Sequence, residues 1–342
     1  MRLLPLAVLS VALTLLSSPV LAPAQTADPD TSSAAESPKS EPATGVQWFP
    51  DRFVIAALIA APREVRFEGG LYSAKRDLES EYEGSSLESE VAVGYRIPVV
   101  RLLDGGADGV ALDLGFEAGV WSRFYMENRT RDLIATDYRV GAPLSLRYRA
   151  IEGRLTFHHM SSHLGDDYVA QFGLWVYQVS REALELVLAV RPVEPVRLYG
   201  SGDLNVGRGT NVAVDDEFRG QEFVAVEQWV LRFGAEYDPS WAREGSVQPF
   251  FGVNLETTET TRRLATIIRG GVAFRINSVR LLLDAQYRDG PSAMGQFRLD
   301  PEGFDNLDDP RPFRGVDERM FGVGLTVQIG GLVAPGPADR GL

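Results

Sequence analysis

Apolar and polar residues alternate along most of this chain, in stretches broken at Gly, Asp, Asn or Pro, and this pattern limits the fold more than any other feature. Successive side chains of an extended strand point to opposite faces, so such alternation gives each strand one apolar and one polar face. Val91, Val93, Tyr95, Ile97 and Val99 share a face, and Glu90, Ala92, Gly94 and Arg96 share the other. The same split sets Leu112, Leu114 and Phe116 against Asp113, Gly115 and Glu117, and Phe321, Val323, Leu325, Val327 and Ile329 against Gly322, Gly324, Thr326 and Gln328.

About twelve segments of this kind are predicted, near 64–74, 87–103, 110–126, 137–151, 154–161, 180–191, 196–206, 224–238, 247–256, 263–276, 279–288 and 318–329. Most suit tilted membrane strands of roughly 9 to 11 residues. The connections alternate in length. Those at 104–109, 152–153, 192–195, 239–246 and 277–278 are short, whereas 75–86, 127–136, 162–179, 207–223 and 289–317 are long, and 257–262 is a short member of the second set. Brief periplasmic turns, longer extracellular loops and an even strand number characterise outer-membrane barrels, so the expected fold is an all-β transmembrane antiparallel barrel of about twelve strands. A soluble periplasmic sandwich or lipocalin-like barrel is the competing fold, because alternation does not say which face meets water. The loop asymmetry favours the membrane, as does a polar face with many glycines and both signs of charge, including Arg147, Arg149, Arg154, Arg269, Arg275 and Asp284.

The first residues read as an export signal. Arg2 precedes an apolar run from Leu3 to Leu16, followed by small residues, and cleavage is expected after Ala24. The expected organisation is a signal peptide at 1–24, a disordered linker rich in Ser, Pro, Ala and acids at 25–46, a short plug or docking segment at 47–63, the barrel at 64–330 and a tail at 331–342. The absence of cysteine excludes a lipoprotein anchor, disulfides and cysteine metal sites. A net charge of -13 without a dense Lys/Arg cluster argues against nucleic acid. The expected partners are membrane lipids, with a homodimer left open.

All three histidines fall within Phe157-His158-His159-Met160-Ser161-Ser162-His163-Leu164-Gly165-Asp166-Asp167-Tyr168. Strand parity puts His159 and Ser161 on the apolar, lipid-facing side with Leu155 and Phe157, near the extracellular rim, and puts His158 and Met160 on the other side. Outer-membrane phospholipase A and one class of lipid A deacylase resemble this chain in carrying such an H-x-S pair on a barrel wall. The resemblance implies Ser161 as nucleophile, His159 as its base, and calcium held with help from Asp166 and Asp167. Those families follow the pair with Asn, where this chain has Ser162, and place an orienting Asn or Glu about a dozen residues after the Ser, where this chain has Gly173. Glu182 is the substitute, because Leu184, Leu186 and Leu188 mark the outward face of the next strand and Glu182 continues it toward the same rim. The whole chain is similar to an exported bacterial family of unknown function with an H-x-S-S-H-L-G-D signature, matched from His159 to Asp166, and with Trp48-Phe49-Pro50-Asp51 and Ala61-Pro62-Arg63-Glu64.

Two other readings stay open at this point. The His and Ser could simply hydrogen-bond headgroups or the following loop in a structural or transport barrel. Alternatively, His158, His163 and Asp166 or Asp167 could form a rim metal site if the loop folds back.

Overall fold

The computed structural model describes residues 45–50, 53–76, 85–106, 109–167, 177–212, 228–239, 247–259, 263–276, 279–291, 297–299, 313–315 and 317–329. The expected signal peptide, the linker up to residue 44, the tail and Gly173 lie outside these residues. Among the described residues no helix is long and apolar enough to cross a membrane.

The chain forms β1 (Gln47–Trp48), β2 (Phe67–Arg76), β3 (Ser86–Asp104), β4 (Val110–Tyr125), β5 (Leu133–Tyr148), β6 (Ile151–Leu164), β7 (Tyr177–Val193) and β8 (Val196–Val212). It continues through β9 (Trp229–Tyr237), β10 (Val247–Thr258), β11 (Ala265–Ile276), β12 (Val279–Pro291), β13 (Phe297–Leu299), β14 (Phe313–Gly315) and β15 (Asp317–Ile329). Neighbours pair antiparallel from β2 to β12, then β12 with β15 and β15 with β2, so the ring closes as a twelve-stranded barrel. Closure matters because it leaves no unpaired backbone edge in an apolar medium. β1 adds to the low end of β3, with Trp48 opposite Val100. β13 and β14 form a separate hairpin within the long β12 to β15 connection, and the sequence pattern gave no sign of it.

Strand ends differ from expectation where glycine was taken for a turn. The β5 to β6 turn is Arg149-Ala150, with Arg149 at φ 52°, and not Glu152-Gly153. Gly153 is a strand residue opposite Leu146 and Leu188, so β6 begins earlier and runs past Ser161 to Leu164. Arg149 accordingly sits at the turn, stacked over Tyr148, and does not line the lumen.

The two faces of the wall are inverted relative to a soluble protein. Outward-facing Val93, Leu188, Phe233 and Val323 are more than half exposed, whereas inward-facing Arg96, Arg123 and Arg269 are almost wholly buried. The apolar effect would drive such valines and leucines inward in water, so this arrangement suits a protein whose outer solvent is itself apolar.

Two things fill the interior. Residues 53–66 run inside the barrel, and their apolar side chains pack on inward-facing wall residues near the short-turn end. Val54 and Ile55 meet Ala111, Leu58 and Ala61 meet Val187, Ala189 and Tyr199, and Ile59 meets Phe250, Ala273 and Leu282. Fully burying a side chain of this size contributes roughly 1.5 to 3 kcal/mol. The plug has no regular secondary structure, so its backbone groups need side-chain partners from the wall or from its own end. Arg197 donates to the carbonyls of Ala56 (3.1 Å) and Ala57 (2.8 Å), Arg66 to those of Leu58 (3.0 Å) and Ile59 (2.9 Å), and Val54 N to Asp113 (2.8 Å). Charged pairs occupy the rest. Arg154 holds Glu64 of the plug through two hydrogen bonds at 2.6 and 3.0 Å, Arg269 clamps Asp284 at 2.6 and 3.0 Å, and Arg123 bonds Glu318 at 2.6 Å. In a lumen closed to water an unpaired charge would be costly, and mutual pairing offsets that desolvation.

Candidate functional site

The outward face of β6 becomes polar toward its long-loop end. Below lie Leu155 and Phe157, both exposed; above them His159, Ser161 and His163 follow at every second residue, each partly exposed. The neighbouring strands set what each of these faces. His159 lies opposite Val140 of β5 and Glu182 of β7, Ser161 opposite Tyr138 and Ser180, and His163 opposite Thr136 and Gln178.

Two polar contacts organise the patch. His159 Nδ1 lies 3.0 Å from Glu182 Oε1, with both side chains somewhat over two-fifths exposed. With the carboxylate as acceptor, Nδ1 is the donor of this hydrogen bond. Ser161 Oγ forms its hydrogen bond with His163 Nε2, at 2.7 Å. The sequence reading instead joined Ser161 to His159. Residues at i-2 and i+2 on a strand flank a side chain equally, so parity alone cannot choose between them. Here the His159 imidazole is drawn sideways to β7, and the serine hydroxyl leans toward the rim.

Local backbone features explain the placement. Glu182 stands at a register shift between β7 and β8, where Glu182 faces Gly207 and Ala183 faces Asn205. Such a bulge re-aims side chains. A Cβ at Gly207 would lie 2.4 Å from Glu182 Oε2, so a larger residue there would make this carboxylate shift. At the top of β6, Gly165 N donates to Ile134 O at 3.0 Å, and a Cβ there would come within 1.7 Å of Leu133 O. That close approach pins the strand end two residues beyond His163 and gives a physical reason for glycine in the His-Leu-Gly-Asp run.

The expected metal set is not brought together. His158 points into the barrel, fully buried, with Nε2 3.3 Å from Asp203 Oδ1, whereas His163 is on the outer face. Residues five apart on a strand have opposite parity, and this separates them. Asp166 and Asp167 are exposed just beyond the strand. Among the described residues no group of three or more His, Asp or Glu is placed to hold a metal ion. The contact that sequence reasoning missed is Ser161 with His163; the period-two spacing His159, Ser161, His163 carried the signal.

Similar folds are known. The outer membrane phospholipase A of Escherichia coli, solved as an active-site mutant, is 11% identical with a TM-score of 0.46, covering 82% of this chain and 94% of that one. The Salmonella typhi outer membrane phospholipase, a dimer with bound calcium, is 12% identical with a TM-score of 0.44, covering 79% and 93%. A KdgM porin is 7% identical with a TM-score of 0.37, covering 77% and 99%. No curated protein sequence matches the chain. One family does match, over residues 19–304, and by that match the chain belongs to the family described as "Protein of unknown function (DUF1207)".

Proposed function

We propose that this protein resides in an outer membrane and hydrolyses lipid esters there, with Ser161 as the nucleophile. The observation that carries this reading is a serine hydroxyl 2.7 Å from an imidazole nitrogen, set on the lipid-facing wall next to a second imidazole paired with a carboxylate. Polar groups on such a wall have a desolvation cost, and a cluster of them beside exposed Phe157 and Tyr138 calls for a role. An ester in the bilayer can reach only the outer face, and near the rim the acyl ester meets water.

A serine is a weak nucleophile until a base takes its proton. In this reading Ser161 Oγ attacks the ester carbonyl, an adjacent imidazole accepts the proton and passes it to the leaving alcohol, and water then releases the fatty acid. Two imidazoles flank Ser161, His163 in contact with its hydroxyl and His159 in contact with Glu182. The substrate class is a phospholipid or lipid A, and the H-x-S resemblance supports it.

The test is fatty-acid release from labelled phospholipid and from lipid A by the purified chain, compared with Ser161→Ala. Release that depends on Ser161 supports the reading. Equal values for both proteins, or no release from either substrate, would return the chain to a structural or transport barrel, and the lumen would then be the place to test.

A further inference from the structure

Ser161 is bracketed on one face by two imidazoles, of which the H-x-S pattern contains one. Resting on the hydrolase reading above, we propose that His163 is the catalytic base that takes the Ser161 proton, and that His159 with Glu182 is a neighbouring polar pair and not the base.

Three observations support this assignment. First, the hydrogen bond of Ser161 Oγ is to His163 Nε2 at 2.7 Å, so in the tautomer protonated at Nδ1 the serine proton has an acceptor without any rotation, while the hydrogen bond of His159 is to Glu182 at 3.0 Å. Proton transfer requires that reach before any tuning of basicity matters. Second, the His163 ring is held. It stands edge-on to Tyr138, with centroids 5.9 Å apart and planes at 78°, and the backbone two residues further on is locked by the Gly165 to Ile134 hydrogen bond at 3.0 Å. Third, position along the strand matters. His163 lies on the loop side of Ser161 and His159 on the side of exposed Phe157. The water of the second step arrives from the aqueous side, where His163 stands.

The chemistry balances with this single base. The Oγ to carbonyl carbon bond forms as the Ser161 proton moves to His163 Nε2, and the ester C–O bond breaks as that proton passes to the alcohol oxygen. Water then attacks the acyl carbon while giving a proton to Nε2, and the proton returns to Oγ as the acyl bond breaks.

The experiment measures fatty-acid release from phospholipid in mixed micelles by the full chain and by Ser161→Ala, His163→Ala, His163→Asn and His159→Ala, each checked for native heat-modifiable migration. General-base loss typically lowers the rate roughly 10² to 10⁴-fold, expected for both His163 variants, with His159→Ala retaining activity within about tenfold of wild type. Added imidazole should restore part of the His163→Ala rate, which a purely structural role would not show. If His159→Ala falls as far as Ser161→Ala while His163→Ala matches wild type, His159 is the base; this inference is then overturned and the hydrolase reading stands. Recovery of activity in His163→Asn would also overturn it, since Asn can pack and hydrogen-bond but cannot take the proton. Full activity of Ser161→Ala would instead remove the hydrolase reading itself.

Discussion

The inner and outer faces of one barrel wall differ in composition, and they differ in what their polar residues do. Inside, Arg96, Arg139, Arg154, Arg197, Arg232 and Arg269 are buried and each meets a carboxylate of another strand or of the plug. Outside, polar residues interrupt an exposed apolar surface in patches, one around Ser161 on β6 and β7 and another at Lys75, Arg319 and Asp289 near the ends of β2, β15 and β12. The inner charges are spread round the wall and pair mostly between neighbouring strands, while Arg154 with Glu64 of the plug and Arg123 with Glu318 reach farther. The outer ones are clustered, partly exposed and bonded to immediate neighbours. Dispersed, paired charge is what a buried interior needs, whereas clustered and exposed polarity on an apolar outer wall is what chemistry at a membrane surface needs.

Four substitutions can break or sharpen that contrast. The largest effect is expected from the outer patch: Ser161→Ala should reduce lipid hydrolysis by roughly a thousandfold or more, with the barrel still folded. Labelled fatty-acid release reads the first part, and the shift in migration on heating reads the second. A folded, fully active variant would mean that the patch is only surface.

Next comes the lumen. Glu64→Ala removes the two-bond partner of Arg154 and leaves it only Glu185 at 3.9 Å, with Arg96 left to Glu117 at 3.5 Å, and should destabilise the protein by up to about 3 to 5 kcal/mol, measured as a lower urea midpoint for the barrel in detergent. Rates per folded molecule should not change, because Glu64 lies on the other side of the wall from Ser161. An unchanged midpoint would show that the interior admits water and that the pairs are dispensable.

A third substitution tests which solvent the outer face meets. Leu186, exposed on β7 below the patch, replaced by Arg should cost roughly 2 to 4 kcal/mol when the barrel folds into lipid vesicles. A neutral result would place that face in water and favour the soluble alternative. The smallest effect is expected from Glu182→Gln, which keeps the shape but removes the charge beside His159; about a tenfold slower hydrolysis is expected, with no loss of stability. A loss as large as that of Ser161→Ala would make the carboxylate indispensable and weaken the assignment of His163.

Much of this could be read from the residues in order. Alternation is a local property, so the strand count and the shared faces of β3, β4 and β15 follow from period two, and the alternating loop lengths pointed to the antiparallel ring. It also places His159, Ser161 and Glu182 on the side away from the lumen and His158 toward it. Boundaries were less legible, since Gly153 fits a strand as readily as a turn and Arg149 takes a positive φ that its side chain does not advertise. The apolar run from Phe53 to Ala61 announced a segment needing burial, but its seat against Ala111, Tyr199 and Phe250 exists only when the strands that carry them come together.

By itself, then, the sequence determined periodicity, facing and the concentration of imidazole near one rim, because each depends on neighbours along the chain. Tertiary structure alone decided the pairings. Arg123 and Glu318 meet across 195 residues, and Glu64 and Arg154 across 90, through barrel closure. The choice between His159 and His163 as the partner of Ser161 was settled the same way. Both are equally near in sequence, and the bulge opposite Gly207 together with the carboxylate of Glu182 on the adjacent strand drew one imidazole aside and left the other to the serine.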